Sequence, residues 1–333
     1  MTAVAAQTRP RLGFLGTGWI GRHRLEAIAA SDVAHVAALA DPDGECLSAA
    51  ARAAPGAALL AGGLDDLLTA GLDGIVIATP SALHADQALA ALRHGIAVFC
   101  QKPLGRSAAE TRAVVDAAAC ADLLLGVDMS YRHTAAARAL RDRVRKGAIG
   151  PVHQIDLVFH NAYGPDKPWF LDPRLSGGGC AVDLGIHLVD LLLWVLDFPA
   201  VARVDARRWR RGETAGADDA EDLCLATIEL AGGAAARLAC SWFSHEGRDC
   251  VLEATFRGRE GAISMHDVGG SFYDFGVELR RGTTAQEIVA PPDAWGGRAA
   301  VDWARRLRAG ERFDPAVRRL VDVAGVLDEV LRR

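Results

Sequence analysis

The chain has 333 residues, enough for two domains at roughly 150 residues each. Half of them are hydrophobic and 24% are charged, which excludes a largely disordered chain. The net charge is −5, and the absence of a basic stripe argues against a nucleic-acid partner.

From Arg11 onward the pattern is regular, after a loose tail over residues 1–10. A short apolar run (Leu12, Phe14, Leu15) leads into a glycine loop and a helix over 19–30. A strand over 33–40, a helix over 44–52 and a short helix over 64–70 follow. Residues 74–78 form an apolar strand without alternation, as expected when both faces are buried. Then come a helix over 80–94, a strand over 96–100, a helix over 107–120 and a strand over 123–127. Strands alternating with helices predict βαβ units on a parallel sheet, a Rossmann-type dinucleotide-binding domain over 11–130.

Beyond residue 131 the character changes. A helix over 134–146 precedes an alternating strand at 152–159, a Pro- and Gly-rich loop over 161–179 and an apolar helix over 181–196. Strand-like runs at 222–230, 234–243 and 249–256 lack helices between them. They predict an α+β domain over 131–333 with a large, open, mostly antiparallel sheet. Helices at 298–309 and 315–332 close the chain. No run of 18 apolar residues exists, and the N-terminus lacks the apolar stretch of a signal peptide, so neither membrane insertion nor export is expected. Seven cysteines, odd in number and never spaced CxxC, point to reduced thiols in the cytoplasm and to neither a disulfide framework nor a zinc site.

Chemistry concentrates at a few places. Gly16-Thr17-Gly18-Trp19-Ile20-Gly21 lies between a strand and a helix, where the glycines allow a tight turn, close pyrophosphate approach and helix–sheet packing. Asp41, 20 residues after Gly21, stands where a carboxylate binds the adenosine ribose, which favours NAD over NADP while leaving NADP admissible. Of 37 basic residues only Lys102, Lys146 and Lys167 are lysines, and arginine cannot replace a lysine that must titrate. Lys102, in Gln101-Lys102-Pro103, follows a parallel strand, where open α/β sheets bind ligands. On the apolar helix, Asp183, His187 and Asp190 share one face, and a histidine–carboxylate pair is a common proton-transfer device. The Gly177–Gly179 run suggests close approach of a ligand or of backbone. Tyr163 and Trp169, with Phe170, offer rings for a sugar face or for packing.

These motifs in this order, together with Ala78-Thr79-Pro80 and His84 and with Gly177-Gly-Gly-Cys-Ala-Val-Asp183-x-x-x-His187, resemble the Gfo/Idh/MocA family. That family includes glucose–fructose oxidoreductase and inositol dehydrogenases. The resemblance implies bound NAD or NADP, a sugar or cyclitol substrate, and an open C-terminal sheet used in a homodimer or homotetramer. It assigns Lys102, Asp183 and His187 to the catalytic set. It assigns residues 16–21, Asp41, Thr79, Pro80, His84, Gln101 and Lys102 to the cofactor. One departure stands out: the family usually has Glu before Lys-Pro, and this chain has Gln101. Relatives of this fold also cleave glycosides through a transient keto-sugar, act as sugar-responsive regulators without catalysis, or reduce other carbonyl compounds. The first of these shares the same catalytic set, and an intact set argues against the regulator.

Overall fold

Strand β1 (Arg11–Leu15) is buried at four of its five positions and pairs in parallel with β2 (His35–Ala40). The computed structural model describes residues 9–60, 63–216 and 218–332. With β3 (Ala58–Leu60), β4 (Gly74–Ile77), β5 (Ala97–Cys100) and β6 (Leu125–Val127) it forms a six-stranded sheet of order β3-β2-β1-β4-β5-β6, parallel at every pair. This is the doubly wound order of a dinucleotide-binding sheet, with its switch point between β1 and β4. β3 was not anticipated. It has three residues, none fully buried, too few for the apolar pattern to register. Of the tail expected over 1–10, residues 1–8 lie outside the described residues, while the carbonyl of Pro10 already accepts from the His35 amide.

The second sheet has nine strands: β7 (Val152–Asn161), β8 (Val201–Arg210), β9 (Glu213–Thr214), β10 (Leu223–Leu230), β11 (Ala235–Trp242), β12 (Cys250–Gly258), β13 (Gly261–Asp267), β14 (Phe275–Arg281) and β15 (Thr284–Val289). Their order is β15-β14-β13-β12-β7-β11-β10-β8-β9, antiparallel throughout except for the parallel pair β7–β11. Along β10 the odd positions Leu225, Thr227 and Glu229 are exposed, while Cys224, Ala226, Ile228 and Leu230 are buried, so one face is covered and the other open. The covered face lies under the helix Ile186–Val195, of which nine of ten residues are buried. Among the described residues one helical run, Pro173–Val195, is long and apolar enough to cross a membrane. Of its apolar window, 89% is buried inside the protein, as in a core helix.

The chain divides into two compact units, and the division differs from the expected cut at 130/131. The first unit contains residues up to Gly105, Ala109–Ser130 and also Gly296–Arg318; the second contains Arg106–Ala108, Tyr131–Trp295 and Arg319 onward. The helix Arg298–Arg308 was expected in the second domain. It belongs to the first because Trp303 packs on Phe99 of β5, ring centroids 5.6 Å apart. A Cβ on Gly74 or Gly126 would come within 2.7 or 2.8 Å of the Trp303 ring, so glycine at both strands lets the indole lie on the sheet.

Candidate active site

The glycine loop of the first unit has the geometry that its spacing requires. Gly16 has φ +86°, and a Cβ there would sit 2.5 Å from the carbonyl oxygen of Ala78. A Cβ on Gly21 would meet the Gly16 carbonyl at 2.1 Å, so the helix Trp19–Ser31 can start only if residue 21 is glycine. At Gly18 nothing lies within 4 Å of a Cβ position, and no side chain caps the helix start. Open space at the positive end of a helix suits a pyrophosphate.

Asp41, just past β2, holds this loop: its Oδ2 accepts from the Thr17 amide at 2.5 Å and the Thr17 hydroxyl at 3.1 Å. Its Oδ1 accepts from the Asp43 amide at 2.9 Å. An ionised carboxylate has about four acceptor positions, so these bonds leave room for a ribose hydroxyl. The residues present therefore fit a dinucleotide. Trp19 is exposed and stacks on His23, and the Thr79 hydroxyl donates to Gln87 at 2.6 Å.

His84 is held by backbone on both sides of its ring. The ring is buried, with Nδ1 2.7 Å from the Pro103 carbonyl and Nε2 2.7 Å from the Thr79 carbonyl. Both nitrogens face backbone, so His84 acts as a strap between the ends of β4 and β5. The two carbonyls favour imidazolium. Burial opposes it more strongly and, with a smaller contribution from the Lys102 charge, holds the His84 pKa below its ordinary value. Lys102 thus sits between two anchored neighbours, since the buried Gln101 side chain donates to Asp128.

In the second unit the expected uniform helix over 181–196 begins instead with a π turn, Ala181–Gly185, and becomes α-helical at Ile186. Such turns recur at functional sites, and the carboxylates of the predicted polar stripe have different partners. Asp190 is bound at both oxygens by the Arg132 guanidinium, at 2.8 and 2.5 Å, and is a structural ion pair. Asp183 instead accepts from the Trp242 indole N–H at 3.1 Å. His187 is 8% exposed, its ring set edge-on to Tyr131 (centroids 4.7 Å) and tilted against Phe159 (6.3 Å). Burial raises the Tyr131 pKa well above normal, and Cys250 and Asp183 add to the effect, so the phenol stays protonated.

The close approach foreseen at Gly177–Gly179 is made by backbone. A Cβ on Gly179 would meet the Glu221 carbonyl oxygen at 1.9 Å, and Glu221 Oε1 accepts from the Gly179 and Ala181 amides at 3.0 and 2.9 Å. Burial raises the pKa of this carboxyl, and the two amides oppose the rise.

Of the loop aromatics, Trp169 stacks on Phe170 (3.9 Å), and Phe170 meets Trp242 edge-on (6.5 Å), so this pair adjoins the indole that holds Asp183. Tyr163 is exposed and its hydroxyl donates to Asp249. The first unit therefore assembles residues 16–21, Asp41, Thr79, Pro80, Gln101 and Lys102 at the carboxyl ends of its strands. The second brings Asp183, His187 and Trp169 into one neighbourhood. Sequence reasoning missed Trp242, Arg132, Asp128 and Glu221, each of which has a partner 40 or more residues away.

Comparison with known proteins agrees with this geometry. Residues 11–129 match the model of an oxidoreductase family with an NAD-binding Rossmann fold, and residues 137–264 match the GFO/IDH/MocA C-terminal domain. The chain belongs to the Gfo/Idh/MocA family. Among curated members, it is 31% identical over 195 residues to the rhizopine catabolism protein MocA of Rhizobium meliloti, covering 56% of this chain and 57% of that one. It is 29% identical over 295 residues to D-apiose dehydrogenase of Paraburkholderia graminis, covering 87% of this chain and 74% of that one. The crystal structure of GenD2 from gentamicin A biosynthesis, a complex with NAD, superimposes with a TM-score of 0.82 at 25% identity, covering 98% and 95% of the two chains.

Proposed function

We propose that this Gfo/Idh/MocA member is an NAD-dependent dehydrogenase or ketoreductase acting on a CH–OH group of a sugar, sugar derivative or cyclitol. The observation that carries the reading is Lys102, one of three lysines in the chain, placed at the end of β5 between two anchored neighbours. A fixed positive charge alone would be met by arginine, which the chain uses nearly everywhere else.

When bound, the nicotinamide supplies the hydride acceptor or donor at C4. The remaining work falls to the chain. His187 takes the hydroxyl proton during oxidation, its ring orientation set by Tyr131 and Phe159. Asp183, held by Trp242, binds a substrate hydroxyl or orients the imidazole. The Lys102 ammonium hydrogen-bonds the developing alkoxide or relays its proton. Trp169 offers a ring to the apolar face of the substrate, and Tyr163, engaged with Asp249, stands at the margin. Asp41 accepts the ribose hydroxyls and repels a 2′-phosphate. The open face of the nine-stranded sheet, where Leu225 is 44% exposed, serves a homodimer or homotetramer, and the seven free cysteines suit a cytoplasmic enzyme.

Fluorescence titration with NADH and NADPH tests the cofactor assignment. NADH is expected to bind more tightly, with Asp41→Ser narrowing the difference. Tighter NADPH binding, unchanged in Asp41→Ser, would overturn it.

A further inference from the structure

Gln101, the residue that departs from the family pattern, stands beside a buried carboxylate. β5 and β6 are parallel neighbours in register, Cys100 opposite Val127, so residues 101 and 128 leave the sheet side by side. The Gln101 amide group donates to Asp128 Oδ2, and the same oxygen accepts from Arg24 Nε at 2.5 Å. All three side chains are buried: Arg24 is 4% exposed, Gln101 8% and Asp128 1%. His23 and Cys100, which also feel the Asp128 charge, are neutral. Arg24 donates to His23 Nδ1 at 2.8 Å, and burial and the Arg24 charge lower the His23 pKa. Burial and the Asp128 charge raise the Cys100 pKa, keeping it a thiol. Asp128 Oδ1 is buried without a hydrogen-bond partner among the described residues, a retained polar cost of the kind found at functional sites.

The charges in this group balance as they stand. One arginine meets one carboxylate, and a neutral amide donates to the same carboxylate oxygen. A glutamate at 101 would set a second carboxylate against Asp128, and buried like charges at contact distance disfavour each other strongly.

We propose that Gln101 and Asp128 form a positioning pair for Lys102 with the carboxylate moved from residue 101 to residue 128, fixed there by Arg24. The pair anchors the residue immediately before Lys102, as the His84 strap anchors the residue immediately after it. The inference rests on the reading of Lys102 as a catalytic group.

The test is a double-mutant cycle of Gln101→Glu, Asp128→Asn and both together, with Lys102→Ala as control. Turnover, its pH profile and the unfolding midpoint are read for each. Gln101→Glu is expected to lose roughly tenfold or more in turnover, since small displacements of a catalytic group are costly. Asp128→Asn, which strands Arg24, is expected to lower the midpoint. The double variant regains one carboxylate and one amide and recovers most of both losses. Its carboxylate now adjoins Lys102 and favours the ammonium, so its profile of kcat against pH moves to higher pH.

Additive losses in the double variant would overturn the pair. So would wild-type behaviour of Gln101→Glu, or recovery with an unmoved pH profile, which marks a merely structural bond. Should Gln101→Glu fail to fold, recovery of soluble, NADH-binding protein on adding Asp128→Asn counts as the same recovery, and its absence as additivity. Full turnover in Lys102→Ala would sink the reading of Lys102 and this proposal with it. Additivity alongside an inactive Lys102→Ala sinks the pair alone.

Discussion

Lys102→Arg separates charge from titration at a single residue. The variant keeps a cation but loses the compact, titratable ammonium, so turnover should fall about 100-fold, within the usual range for an acid–base group. NADH affinity, read by fluorescence titration, should change little. Turnover close to wild type would reduce Lys102 to a fixed charge. Legibility differed from residue to residue for a physical reason. The turn at Gly16 and the close packing at Gly21 could be read because they follow from local spacing along one βαβ unit. The two backbone partners of His84 were not legible, because a motif position says which residue is present and not which way its ring faces. Trp242 and Asp128 went unseen because each acts through partners distant in the chain, on a helix packed against the sheet for Trp242 and on a neighbouring strand end and a helix for Asp128.

At the scale of elements, the helix ends carry the next two expectations. Arg132 neutralises Asp190, whose carboxylate is only 2% exposed. Its guanidinium also lies over Trp194 and Phe198, at 5.9 and 5.4 Å. Arg132→Met strands a buried charge and should cost about 3–5 kcal/mol, read as a lower denaturant midpoint. Adding Asp190→Leu should restore much of it. Two losses that simply add would show that Asp190 does not depend on Arg132.

The second expectation concerns the His84 strap. Its folded pKa lies below the unfolded value of 6.5, so the unfolded chain binds the proton more readily. The strap's contribution is then fully present above about pH 6.5 and is lost as pH falls below it toward the folded pKa. His23 and His160 are also lowered, by burial first, so the comparison must be with His84→Gln at each pH. Wild type should lose more stability than His84→Gln between pH 6.5 and about pH 5, by chemical denaturation. Parallel curves would mean that the ring titrates alike in the folded and unfolded chain. The π turn at Ala181–Gly185 belongs to this scale too. The sequence reads as one continuous apolar helix because Ala, Val and Leu suit both turns. Glu221, bonded to the Gly179 and Ala181 amides from 40 or more residues away, belongs to that turn's surroundings and leaves no local trace.

For the whole molecule, the alternation of strands and helices made the first sheet legible almost element by element, and the run of strands without helices announced the second. What escaped was the return of Arg298–Arg308 to the first unit. That return depends on Gly74 and Gly126 making room for Trp303, a fit between residues more than 170 positions apart. The central claim is hydride exchange between NAD and a sugar or cyclitol carbon. The measurement that tests it most directly is absorbance at 340 nm across a panel of sugars, glycosides and cyclitols, with NAD and NADP and with the keto products analysed alongside. At least one member should yield NADH and its keto product in equal amounts, faster with NAD than with NADP, and Lys102→Arg should suppress the signal. Release of an aglycone from a glycoside while the absorbance stays flat, with no keto product from any member, would contradict the account.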